Sequence, residues 1–419
     1  MAMIIEKPAV EETSDGLTLR AGVSFQGRKE TCFYSVPGAY AGFADPESSN
    51  CFLVGLLYPA MRCGEDIRVE GRVSARLLYN VNEYLVPLMA KFDPRLGRIA
   101  VSAAATDDIG RAEARATGTG FSGGIDSFAT VFERHARPAP AGFALTHLFF
   151  FNVGAHGIPK AEGDLEAIER KFRARYERLK GFPQEEGLPF VPVNSNVHKF
   201  HPWGHLEVST LATVSAVMFL QRGIRRYYLA SAGHPYADLC RYLGSSRRPD
   251  DIAFLNPLLL PWLSTETLDL MDDGTLRDRS QKTELVAGYE PAARYLNVCC
   301  NHDALDANCS VCDKCCRTLL TLEILGKADA FGAAFDIPRY RREARRLFVA
   351  RAIVRSKDEM FFRHIVDLAR ERGVDLRREV NALDMLRARL LDGRIHAFIR
   401  SHAPLKRLAK ALFRRRDLV

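Results

Sequence analysis

The chain lacks any uninterrupted apolar stretch of the roughly 18 residues that a membrane helix needs. The apolar run near residues 211–220 is too short. Its first residues, MAMIIEKPAVEETSDG, lack the basic start and long apolar core of a secretory leader. The expectation is therefore a soluble, cytoplasmic protein with no membrane partner. Internal repeats and low-complexity tracts are missing too, which excludes a solenoid and a linker-like chain. No H-E-x-x-H occurs, so zinc-peptidase chemistry is not expected.

What is present is ordinary globular material. The 419 residues are 47% apolar and 26% charged, a composition that folds rather than stays disordered. The length suggests two or three domains. The net charge is +8, and the excess gathers after about residue 338, with Arg341-Arg342, Arg345-Arg346, Arg377-Arg378 and Arg414-Arg415-Arg416. Such an end suits a nucleic acid or an acidic protein acceptor. The alternative is a set of solvated helix faces. Ten cysteines are spread over the chain, six of them between Cys299 and Cys316. In a cytosolic protein that clustering favours a metal over disulfides.

Three regions follow from the patterning. Residues 1–112 read as a separate strand-rich α+β domain, in which TCFYSV, CFLVGLLY and IRVEGRVSARLLY alternate or run apolar. VNEYLVPLMAKF reads as a short helix interrupted by Pro87. Cys32, Cys51 and Cys63 lack metal spacing and read as buried thiols. Residues 113–337 alternate strands (ATGTGF, LTHLFFFNVG, LPFVPVNSN, RRYYLASAG, TLDLMDDG) with helices at 164–180 and 206–222. This pattern predicts an α/β domain with a parallel sheet and ligands at the strands' carboxyl ends. Residues 338–419 read as a basic helical region, from RRLFVARAIV to KRLAKALFRR.

The sharpest local signal is Ser122-Gly123-Gly124-Ile125-Asp126-Ser127, set between the ATGTGF strand and a helix starting FATVF. Glycines let the backbone approach phosphate oxygens. Successive N–H groups and a helix N-terminus form an anion site. Ser122 and Ser127 can donate hydroxyl hydrogen bonds to it. Asp126 makes sense beside phosphate if it holds Mg²⁺. The bland alternative is a turn capping a helix. No Gly-Lys-Ser/Thr follows, so the loop is not a Walker A site.

The second signal is NVCCNHDALDANCSVCDKCCRTL, where Cys309, Cys312 and Cys315 form C-x2-C-x2-C. Together with Cys299 or Cys300 upstream they suit tetrahedral Zn²⁺. Cys316 and His302 are weaker alternatives, an iron–sulfur cluster is another, and plain free thiols are the bland one.

At residues 122–127 the chain resembles the PP-loop ATP pyrophosphatase family, whose signature is SGGxDS. The loop followed by Cys300, Cys309, Cys312 and Cys315 is similar to the 7-cyano-7-deazaguanine synthase family, across roughly residues 118–325. The resemblance implies a PP-loop core of adenine-nucleotide α-hydrolase type. It implies an ATP-dependent C–N ligase that transfers AMP to a substrate oxygen, releases pyrophosphate, and lets ammonia displace AMP. Zinc would be structural. The expected partners are a small carboxylate or heterocycle and ammonia, with a homo-oligomer left open. The chain departs from the family in its N-terminal region and its basic end. Residue 2 is Ala2, so the catalytic cysteine of asparagine-synthetase-like amidotransferases is not matched there.

Other residues are singled out by position. Asn152, Gly154 and His156 follow the LFFF strand and are placed for backbone contact to adenine, the alternative for His156 being a solvated loop. Ser231, Gly233, Asp238 and Arg241 follow the next strand. Lys282, near Arg279, is placed to meet the leaving pyrophosphate, or else is a solvated helix-start lysine. Cys240 reads as an inert lone thiol. Two further readings stay open: a sulfur transferase acting on RNA, and a non-catalytic nucleotide sensor.

Overall fold

The computed structural model describes residues 2–107, 115–161, 163–244, 251–299 and 307–392. It divides into two compact units, residues 1–276 and 277–419. Neither boundary expected from the sequence, at 112/113 or 337/338, coincides with this division.

Unit 1 is built on one mostly parallel sheet of eleven described strands. They are β1 (Ala2–Ile5), β2 (Ala9–Thr13), β3 (Gly16–Phe25), β4 (Arg28–Pro37), β5 (Asp66–Ser74), β6 (Val101–Asp107), β7 (Ala116–Gly120), β8 (His147–Asn152), β9 (Phe190–Ser195), β10 (Ile224–Ala230) and β11 (Asp269–Asp273). The order is β11-β10-β7-β8-β9-β4-β3-β1-β5-β6, with β2 pairing β3. β7 to β11 are all parallel to their neighbours within that group. Counted from β7, their order is 3-2-1-4-5 from β9 across to β11, a doubly wound arrangement. Its switch point lies between β7 and β10.

The N-terminal strands continue this sheet rather than forming one of their own. β4 runs antiparallel to β9 through Tyr34↔Ser195 and Ser35↔Asn194. Asn196 reinforces the join by accepting from the Phe33 N–H at 2.9 Å and donating to the Thr31 carbonyl at 2.8 Å.

CFLVGLLY is not a strand. It lies in helix α1 (Asn50–Cys63), whose residues Asn50 to Met61 are all buried. An eight-residue apolar run does not distinguish a buried strand from a helix buried on every side. Gly55 is the decisive position. A Cβ there would lie 2.5 Å from the Tyr34 hydroxyl and 2.9 Å from Val197. Without it, α1 closes onto the sheet, and the Tyr34 hydroxyl donates to Ser215 at 2.8 Å. Ser215 belongs to a second enclosed helix, His205–Phe219.

The glycine-rich β7 has a similar explanation. A Cβ on Gly118 would lie 2.2 Å from the Phe149 ring, and one on Gly120 would lie 2.8 Å from the Tyr227 hydroxyl. The glycines make room for large rings carried by the two flanking strands.

Unit 2 is helical where described. Its helices include α2 (Arg279–Ala287), α3 (Asp313–Ile324), α4 (Arg345–Arg355) and α5 (Met360–Glu371). Several arginines of this basic region are taken up by carboxylates within the unit. Glu323 accepts from Arg341 at 3.1 Å and from Arg345 at 2.6 Å. Arg346 meets Asp384 at 2.9 Å and Arg342 meets Glu343 at 2.8 Å. Arg414, Arg415 and Arg416 lie outside the described residues. No described helix is long and apolar enough to cross a membrane.

Candidate functional site

The phosphate-loop candidate falls between β7 and the helix Ile125–Val131. Gly123 has φ +71°, a left-handed turn that a glycine adopts without strain. Gly124 caps the helix, its carbonyl accepting from the Phe128 N–H at 3.0 Å and from the Ser127 hydroxyl at 3.0 Å. The Gly124 N–H points at the Ser122 hydroxyl, 3.4 Å away.

Two other patterns overlap this loop. Residues 118–123 spell G-x-G-x-x-G, but Gly118 and Gly120 lie inside β7, not in the turn a dinucleotide site requires. Residues 120–124 spell G-x-S-x-G. Ser122, however, is not among the residues with positive φ, so the strained turn of a nucleophile elbow is not formed.

A cleft of about 320 Å³ opens at the carboxyl ends of β7, β8 and β10. Its walls carry Ser122, Asp126 and Ser127 from the loop, aromatic rings of β8, and His156, Arg175 and His205. The size and the mixture of apolar wall with few polar groups are those of a small-molecule site. Asn152 and Gly154 sit beside the cleft rather than in its wall. The Asn152 amide donates sideways to the Asn194 side chain at 2.8 Å. Gly154 has φ +118° and leaves room for His205, whose Nδ1 would lie 3.0 Å from a Cβ placed there.

The sequence pattern left one feature unread. His198, His201 and His205, a His-x2-His-x3-His run, gather with His156 beside the cleft, and the spacing itself was the available signal. His156, His198 and His201 are buried, and their rings have no well-formed hydrogen bond, His156 and His201 making only weak backbone contacts to Phe151 and Gly55. His156 is therefore not a solvated loop residue. Burial, helped by the charge of Arg175, pushes His156 down to about 3. Burial and the neighbouring His205 push His198 to about 4. Burial, with His198 and His205, pushes His201 to about 3. All three are neutral imidazoles at neutral pH.

Asp238 and Arg241 pair with each other one helical turn apart. Ser231 donates its N–H to the Asp273 carbonyl at 2.8 Å. Cys240 is exposed.

Unit 2 holds the cysteine cluster. The donor atoms of Cys299, Cys309, Cys312 and Cys315 all lie within 4.8 Å of one another. The Cys299–Cys312 and Cys309–Cys315 sulfur pairs are 3.9 and 4.0 Å apart. Four Zn–S bonds of about 2.3 Å in a tetrahedron place the sulfurs about 3.8 Å apart, so the set fits a zinc-sized ion. Cys299 supplies the fourth thiol, while Cys300 and His302 lie outside the described residues. Cys316 is buried apart from the four and directs its sulfur to the Ser310 carbonyl at 3.9 Å.

The Cys309 thiol is pushed up to about 11, chiefly by burial. That of Cys315 is pushed far up by hydrogen bonds to Cys299 and Cys312, then by burial. A bound cation would favour the thiolate forms of the four sulfurs and release their protons to water. Two local devices shape the site. Cys312 caps α3, so Cys315 lies in a helical first turn whose dipole favours thiolate. Buried Asn308 accepts from the N–H groups of Val298 and Cys299 at 2.9 and 3.1 Å and donates to the Leu296 and Ala334 carbonyls at 2.8 and 2.9 Å. One side chain thus ties together both halves of the cluster.

Lys282, in α2, is 1% exposed. It is not a solvated helix-start lysine.

No protein-family model matches the chain, and neither a curated protein nor a solved structure does. What stands is a class: an α/β protein with a doubly wound parallel core, a cleft at its switch point, and a tetrathiolate site suited to a metal such as zinc.

Proposed function

We propose that the chain is an ATP-dependent adenylating enzyme of the PP-loop type, a C–N ligase. The observation that carries this reading is the placement of Ser122, Asp126 and Ser127 in the wall of one cleft, at the topological switch of a 3-2-1-4-5 sheet. Open α/β sheets bind their ligands there. The loop's N–H groups and hydroxyls suit the β and γ phosphates, and Asp126 suits the Mg²⁺ that neutralises them. The aromatic wall of β8 suits adenine.

In the proposed reaction an acceptor carboxylate or amide oxygen attacks the α phosphorus. The bond to the β-phosphate oxygen breaks, and pyrophosphate leaves. With a carboxylate acceptor, ammonia then attacks the activated carbon, the C–O bond to AMP breaks, and the nitrogen gives up a proton to water to leave an amide; an adenylated amide instead loses AMP and its N–H proton to leave a nitrile. The work of the site is positioning and charge stabilisation. An ion held by Cys299, Cys309, Cys312 and Cys315 would have four protein ligands and no open position, and so would serve the structure rather than the reaction. A sulfur transferase would need a thiol at the cleft. The described lining contains no cysteine, which favours nitrogen as the incoming atom.

The test is ATP–pyrophosphate exchange across a panel of carboxylate acceptors. Acceptor-dependent exchange is expected to fall about 10²–10³-fold in Asp126→Asn, the scale for a lost electrostatic group. Equal exchange by wild type and variant would overturn the assignment. ATP binding without exchange for any acceptor would favour a nucleotide sensor.

A further inference from the structure

A second hollow in unit 1 opens where the sheet comes apart. β4 and β9 share only two residue pairs. Carrying their register two residues further sets Pro37 opposite Pro192. In an antiparallel ladder, alternate residues turn both N–H and C=O toward the same neighbour. Ser35 faces β9 in this way, and Pro37 is the next to do so. Neither proline has an N–H, so the next hydrogen-bonded pair cannot form and the strands part. The hollow that results measures about 540 Å³ and is closed on one side by the helix Asp164–Leu179.

The chemistry of its walls is one-sided. Asp15, Glu169 and Glu177 line it, and the one cation among the described lining residues, Arg173, is bound to Glu169 at 2.6 Å. Glu177 also pairs with Lys180. Tyr176 forms a fixed aromatic wall. Its hydroxyl donates to the Phe190 carbonyl at 2.9 Å, and its ring stacks on Phe190 at 4.8 Å.

We propose that this split binds an extended, lysine- or arginine-bearing segment of a partner protein. Four features converge on that occupant. An extended segment laid between two parted strands meets backbone on both sides, as in strand addition. At the two prolines it meets carbonyls but no N–H groups, so a segment rich in donors is favoured over one rich in acceptors. Among the described residues, three carboxylates against one arginine line the hollow, and with Glu169 and Glu177 already paired the negative excess sits at Asp15, in a chain that carries +8 overall; an incoming cation can pair with Asp15 and compete for the half-exposed Glu177. The Tyr176 face takes the aliphatic stem or the charged head of such a side chain. The same prolines keep the split from simply pairing with any exposed strand.

The test uses the full chain and a fluorescein-labelled ten-residue peptide of alternating lysine and threonine, followed by fluorescence anisotropy. The peptide is expected to bind, to weaken with added salt, and to lose at least tenfold in affinity in the double variant Asp15→Lys, Glu177→Lys. Glu166→Lys, on the same helix but outside the hollow, is expected to leave binding within twofold; it makes the same change in net charge as each single variant, Asp15→Lys and Glu177→Lys, both of which are expected to weaken binding. Absence of binding at low salt, equal binding of a glutamate–threonine peptide, or an equal loss in Glu166→Lys would each overturn the proposal.

Discussion

Lowering the pH from about 7.5 to about 5.0 should strip roughly 6 kcal/mol from the stability of unit 1. His156, His198 and His201 are buried with no more than weak backbone contacts and stay neutral in the fold, being held down to about 3, about 4 and about 3, chiefly by burial. In the unfolded chain each returns to an ordinary value near 6.5. Their folded values are depressed, so the unfolded state binds more protons. The stability they contribute is intact above about pH 6.5 and is lost as the pH falls toward 4. At pH 5 each site costs about 1.5 pK units at 1.36 kcal/mol per unit, or about 2 kcal/mol. Three sites together approach the whole stability of an ordinary domain, about 5–15 kcal/mol. The readout is selective, because both tryptophans, Trp203 and Trp262, belong to unit 1. Urea unfolding followed by tryptophan fluorescence at the two pH values gives the difference directly. His201→Gln should reduce the pH-dependent loss by about a third, whatever it does to stability at pH 7.5. A midpoint that does not move between the two pH values would refute the reasoning. So would a shift that His201→Gln and His198→Gln leave unchanged.

Purified chain should carry about one zinc, measured by plasma mass spectrometry, and Cys312→Ser should carry almost none, since structural sites use all four ligands. Asn308→Ala leaves two N–H groups and two carbonyls of the cluster without their partner. It is expected to cost at least about 2 kcal/mol and to make zinc removal by a chelator about 10–100-fold easier. Gly118→Ala sets a methyl group 2.2 Å from the Phe149 ring. It should lower the unfolding midpoint of unit 1 by an amount equivalent to about 1–3 kcal/mol, the cost of an overfilled core.

The elements around the loop were legible because each signal was local. LTHLFFFNVG, RRYYLASAG and the helix after the loop reflect periodicity and glycine chemistry over a few residues, although the helix was expected from Phe128 and already starts at Ile125. The three close cysteines are likewise a spacing within seven positions. The choice between Cys299 and Cys300 was not legible, since neighbours in sequence differ only in which way the chain turns. CFLVGLLY was misread because a helix buried on all sides has no polar stripe to reveal its period. The continuity of the sheet from β4 to β9 depends on contacts between residues far apart in sequence, which no local pattern records. Nothing in the sequence explains the glycines within β7, Gly118 and Gly120; only the positions of Phe149 and Tyr227 do. The histidine group was spelled out at 198, 201 and 205, but a histidine's burial depends on what closes over it.

The join between β4 and β9 also bears on how the chain is made. Phe33 and Ser195, bonded across it, are 162 residues apart. At about 5–20 residues per second, the ribosome needs roughly 8–30 s to deliver the second after the first. Through that interval the N-terminal hairpin has an unclaimed edge, and the apolar length of α1 has no enclosing helix. Until the middle of the chain emerges, newly made unit 1 thus presents the apolar surface and open strand edge from which aggregation starts.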